Sequence, residues 1–73
     1  MINIIEINSR FKRVKFEFFT SADESKLSRL LEKVEGAFNY GHLLKGSEVK
    51  GAMISFISPK NFDRFVSVLN SEF

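Results

Sequence analysis

The densest run of chemistry-bearing side chains is Arg10-Phe11-Lys12-Arg13-Val14-Lys15-Phe16. Four of the chain's eleven basic residues fall within these positions, with aromatic rings between and beside them. Cations and exposed rings on a strand can hold single-stranded nucleic acid, the cations at phosphates and the rings stacked on bases. The alternation decides which groups are free to do so. Successive side chains of a strand point to opposite faces, so Arg13, Lys15 and Glu17 share one face while Val14, Phe16 and Phe18 share the other. Phe19, and Phe11 at the other end, are the rings left to stack. The run K/R-G-F/Y-G/A-F-V-x-F/Y of RNA-recognition sheets is absent. Arg10, Lys12, Arg13 and Lys15 are therefore candidates for a nucleic-acid contact. Arg13, Lys15 and Phe19 are candidates for a protein contact, where Arg and aromatic side chains anchor interfaces.

Other chemistry finds little material. The chain has one histidine, His42, one tyrosine, Tyr40, and no cysteine. Nucleophilic catalysis would need a serine, His42 and an acid to meet in one place; serines are plentiful, so their presence says little. The acids are scattered: Asp23, Glu24, Glu32 and Glu35 fall on one helix and Asp63 on another, as expected for solvated faces. Gly36, Gly41, Gly46 and Gly51 recur every five residues but match no phosphate-cradling loop. The expectation is a chain that is not an enzyme and needs no cofactor or metal.

The elements that carry these residues follow from periodicity. Residues 2–8 are rich in β-branched side chains and read as a strand with Ile5 and Ile7 turned to the core. Residues 11–19 alternate and read as a second strand, after a polar break at Asn8-Ser9-Arg10. Ser21-Ala22-Asp23-Glu24 fits a capping box in which Ser21 and Glu24 exchange hydrogen bonds. Leu27, Leu30, Leu31, Val34 and Phe38 follow at helical spacing, predicting a helix over 22–35 stopped by Gly36. Residues 39–44 fit a short edge strand or a loop, since Asn39 and Gly41 disfavour a strand. Lys45-Gly46-Ser47-Glu48 reads as a turn. Residues 49–57 are nearly continuously apolar, as in a strand deep in a sheet. Ser58-Pro59 caps and starts a second helix over 59–71, with Phe62, Phe65, Val66, Leu69 and Phe73 in one stripe.

The order ββαββα predicts an α+β domain: a four-stranded antiparallel sheet of order 1-2-4-3 with two helices on one face. The arrangement is like a circularly permuted ferredoxin-like fold, its last strand moved to the front. All of residues 1–73 belong to this one domain. The uncovered sheet face is expected to carry Ile4, Glu6, Arg13, Lys15, Glu17, Phe19, Met53, Ser55 and Ile57. Such a half-apolar face suggests a partner, or a homodimer given the thin core of so short a chain.

Composition narrows the class. At 44% hydrophobic residues the chain is not a disordered one. No apolar run approaches the ~18 residues of a membrane span, and the amino-terminal residues lack the features of a secretory signal. A formal charge of +2 is mild for a dedicated nucleic-acid binder. Nine phenylalanines against three alanines, with many Lys, Ile and Asn, suit an A/T-rich gene. These features lead to an expectation rather than an identification: a cytoplasmic, non-enzymatic inhibitor or modulator that occludes the surface of one target protein, from a phage or mobile element. The competing expectation is a nucleic-acid-binding regulator, or antitoxin-like protein, using the basic strand.

Overall fold

The computed structural model describes residues 2–18, 20–34 and 36–72. The expectations placed on Phe19, Glu35 and Phe73 fall outside them. The elements are β1 (Asn3–Asn8), β2 (Arg13–Glu17), α1 (Ser21–Leu31), β3 (Phe38–Lys45), β4 (Glu48–Phe56) and α2 (Pro59–Glu72). They form one four-stranded sheet in the order β1-β2-β4-β3, with every neighbouring pair antiparallel. The predicted architecture and strand order are both present. Among the described residues no helix is long and apolar enough to cross a membrane.

The two central strands supply the sheet's contribution to the core. Val14 and Phe16 of β2 pair with Ile54 and Ala52 of β4, and all four are fully buried. Phe65 of α2 seats edge-on against Phe16 at 6.0 Å between ring centroids, and Phe56 lies 5.2 Å from Phe65. Leu27, Leu30 and Leu31 of α1 complete this cluster with Phe62 and Leu69 of α2. Aromatic pairs at such separations add to the burial of their area. Lys33 Nζ meets Glu72 Oε1 at 2.7 Å, tying the chain just after α1 to the end of α2.

Several boundaries differ from expectation. β2 is shorter than residues 11–19, because Phe11 and Lys12 belong to the hairpin loop. Asn8 Oδ1 accepts from Phe11 N at 3.1 Å, and Lys12 takes a left-handed φ of 53°. Helix α1 ends at Leu31 rather than residue 35, and Gly36 follows it at φ 113°. Phe38, expected on the stripe of α1, is instead the first residue of β3. The doubtful third strand is present and runs for eight residues. Its hairpin to β4 turns at Gly46-Ser47, with positive φ at Gly46 only, the pattern of a type II′ turn.

The first strand corrects the expectation most. Ile5 and Ile7, expected against the core, are 56% and 46% exposed, and Ile7 alone keeps the expected side. Ile4 pairs with Phe16 and Glu6 with Lys15, so Ile5 is an extra residue in a bulge. The bulge also puts Ile4 opposite Phe16, on the helix side, rather than on the open face. Ile7 lies opposite Val14 on that same side. It stays exposed because β1 is the outer strand, while the rings of α2 seat on β2 and β4.

Candidate docking site

The helix start decides which acid is free. Two overlapping sequences fit a capping box, Thr20–Asp23 and Ser21–Glu24. The chain uses the first: Thr20 Oγ1 accepts from Asp23 N, and Asp23 Oδ2 accepts from Thr20 N, both at 3.2 Å. Starting the helix at Ser21 corrects the expected cap by one residue and releases Glu24 from capping. Its side chain crosses instead to the edge strand. The Tyr40 hydroxyl donates to Glu24 Oε2 at 2.7 Å, and His42 Nε2 lies 2.8 Å from the same oxygen. An ionised carboxylate only accepts, so Nε2 carries the shared proton. The Tyr40 and His42 rings meet edge to face at 5.4 Å.

This arrangement shifts both acids. The hydrogen bond from Tyr40, then that from His42, holds the Glu24 carboxyl below its ordinary value of 4.5. Burial, followed by the hydrogen bond to Glu24 and its charge, pushes the Tyr40 phenol above its ordinary 10.0. A phenol held in its neutral form is a donor, not a nucleophile or base. The cluster works as a clasp between α1 and β3. Among the described residues no three of His, Cys, Asp and Glu converge as a metal-ligand group.

Beside the clasp, α1 and β3 stand apart and leave an open groove of about 620 Å³. Its floor is apolar, made by Leu31, Val34, Phe38 and Tyr40; its helix wall carries Glu24, Ser28 and Glu32. Phe38 and Tyr40 pair with Phe56 and Ile54, which sets them on the helix side of the sheet. They are 37% and 38% exposed, because β3 is an edge strand whose outer side no element among the described residues covers.

The two sheet edges are built differently. The irregularity between β1 and β2 inserts Ile5 into the edge strand itself. That between β3 and β4 falls on β4: Leu43 and Leu44 are consecutive, whereas their partners Gly51 and Val49 skip Lys50. The edge strand β3 therefore carries no inserted residue. Natural edges are guarded by bulges, charges or proline. β1 has a bulge, whereas β3 has no proline and a lysine only at its end, Lys45.

The basic run occupies the opposite face. Arg13 and Lys15 pair with Ser55 and Met53 and point away from the helices, as expected. Glu6 stands between them, 3.3 Å from Arg13 Nε and 4.0 Å from Lys15 Nζ. The Arg10 and Arg13 guanidinium groups lie 5.6 and 5.2 Å from the centroid of the Phe11 ring. Lys12 sits in the loop, where its carbonyl accepts from Phe56 N at 2.8 Å. The structure thus gathers Arg10, Arg13 and Phe11 and sets the single carboxylate of Glu6 against Arg13 and Lys15, offsetting part of their charge. Residue spacing did not reveal the groove or the role of Glu24, because the second capping-box match accounted for that acid. The rival match at Thr20–Asp23 was the available signal.

No protein-family model, curated protein or solved structure matches this chain.

Proposed function

We propose that this chain is a non-enzymatic protein-binding module that takes one extended segment of a target protein onto the edge of β3. Strand addition satisfies the backbone groups of a free edge while alternate side chains of the added segment enter pockets beside it. The observation that carries this reading is the contrast between the edges: β1 is bulged, and β3 is unbulged and flanked by an apolar groove. Occlusion follows directly, since a segment held on β3 is withdrawn from its own protein's partners. Inhibition or modulation of one target is the expected consequence.

A second copy fits this edge less well. Two copies joined at β3 would continue one sheet with both α1 helices on the same face. The two groove walls would then face each other, and each carries Glu24 and Glu32 with no lysine or arginine to pair across. A foreign segment is favoured over a homodimer here. The strand order equals that of a ferredoxin-like fold with its last strand moved to the front, a topological resemblance that carries no function by itself. A cytoplasmic setting and an origin in a phage or mobile element belong to the same proposal and rest on composition alone.

The test separates the two surfaces. Ser28 is exposed on α1 and lines the groove, so Ser28→Arg obstructs the groove at a position where arginine suits a helix. Arg13→Glu reverses a charge on the open face. Tagged wild-type protein, Ser28→Arg and Arg13→Glu are used as baits in host lysate with and without nuclease treatment. The proposal expects one protein captured by wild type and by Arg13→Glu but lost with Ser28→Arg. Loss with Arg13→Glu or with nuclease alone, and retention by Ser28→Arg, replaces it with the basic-strand reading.

A further inference from the structure

We infer that the segment accepted by β3 has the pattern basic-x-apolar-x-basic, its two cations facing Glu24 and Glu32. This inference rests on the strand-addition reading above and gives the partner its chemistry. The groove wall holds Glu24, Ser28 and Glu32 at i, i+4 and i+8 of the chain, and Ser28 stands between the two carboxylates. Eight residues at the helical rise separate the backbone positions of Glu24 and Glu32 by about 12 Å along the helix. In an extended strand, residues i and i+4 lie on the same face about 13 Å apart. The two spacings agree. A strand laid on β3 can therefore present one cation to each acid and the residue between them, i+2, to the apolar floor of Leu31, Phe38 and Tyr40.

The charges around the groove favour this occupant. No lysine or arginine lines the groove, and Glu32 joins no ion pair among the described residues. Both hydrogen bonds to Glu24 fall on Oε2, and Oε1 accepts none of them. Polar Ser25 and Ser28 break the wall between the acids without adding charge. The chain does not carry the pattern in its own strands: Arg13 and Lys15 alternate with Val14 and Phe16 at the wrong spacing. A second copy is thus not the occupant the groove is built for.

The probes are short blocked peptides in which Lys-Thr-Leu-Thr-Lys is flanked by threonines. Three companions carry Glu-Thr-Leu-Thr-Glu, Lys-Thr-Ser-Thr-Lys and the out-of-register Lys-Leu-Thr-Lys-Thr. Each is titrated into isotope-labelled protein, and affinity and backbone amide shifts are read together. The Lys-Thr-Leu-Thr-Lys peptide is expected to shift amides of β3 and to bind about tenfold more tightly than each companion. The Glu32→Lys variant, altered at an exposed position, is expected to lose that preference over the Glu peptide. Equal binding of all four peptides with shifts in β3 overturns the charge pattern alone and leaves strand addition standing. Absence of β3 shifts with every peptide overturns strand addition, and the pattern with it.

Discussion

Glu24, in the first turn of α1, accepts a 2.7 Å hydrogen bond from the hydroxyl of Tyr40 on the edge strand β3. The contact joins residues sixteen positions apart and closes one end of the groove between helix and strand. It also gives the site its own reporter, because Tyr40 is the only tyrosine and the chain has no tryptophan.

The first prediction uses that reporter. Burial is the larger cause of the raised Tyr40 phenol, and Glu24 adds to it by hydrogen bonding and charge. Alkaline titration followed by phenolate absorbance is expected to show ionisation above the ordinary 10.0. Glu24→Gln is expected to move it part of the way back, leaving the share due to burial. The folded value is the raised one, so this contribution to stability is complete below 10.0 and lost as pH climbs through the folded value. An unchanged titration in Glu24→Gln would contradict the clasp.

On the acid side the sign reverses. Glu24 is held below 4.5 by Tyr40 first and His42 second, so its stabilisation is present above that value and lost as pH falls through the folded one. The group is part-exposed, which keeps the effect to no more than about 1 kcal/mol. Chemical denaturation of wild type and Glu24→Gln is expected to give curves that differ near neutrality and converge in acid. A gap that persists in strong acid would assign the difference to something other than the carboxylate.

Cap usage predicts an asymmetry between neighbours. Thr20→Ala removes the hydroxyl that accepts from Asp23 N and is expected to cost about 1 kcal/mol. Ser21→Ala, at the exposed first residue of the helix, is expected to change stability by less than about 0.5 kcal/mol. Equilibrium urea unfolding of the two variants decides between them, and a larger loss in Ser21→Ala than in Thr20→Ala would restore the cap to Ser21.

The residues that set the fold were legible because their signals are local. Val14, Phe16 and Phe18 alternate, Phe62, Phe65 and Leu69 keep helical spacing, and Pro59 marks a helix start; each fixes a face without help from distant chain. What failed depends on pairing. Nothing within residues 2–8 announces that Ile5 is an inserted residue, since a bulge exists only relative to the partner strand. β3 was doubtful for a related reason: Asn39 and Gly41 disfavour a strand, and Gly41 belongs to one because it pairs with Met53. The need for glycine at Gly51 is a pairing effect too, since a side chain there would collide with the Phe16 carbonyl of the neighbouring strand. The groove was beyond reach because its wall and floor come from elements brought together only by the tertiary fold, and because the cap shift that frees Glu24 turns on a tie between two equal matches.

Partial neutralisation of the basic face yields a further prediction. Glu6 lies within ion-pair reach of both Arg13 and Lys15. Glu6→Gln is expected to strengthen retention on a phosphate-bearing resin relative to wild type, with the difference erased by salt. Equal retention of the two proteins would mean that Glu6 does not mask these cations.

Backbone amide exchange across the sheet, measured on the free protein and with the Lys-Thr-Leu-Thr-Lys peptide or a captured partner bound, distinguishes the two edges. Strand addition at β3 slows exchange for amides within Phe38–Lys45 on binding and leaves Asn3–Asn8 unchanged. Protection that appears in β1, or over Arg13 and Lys15, while β3 exchanges as before would contradict it.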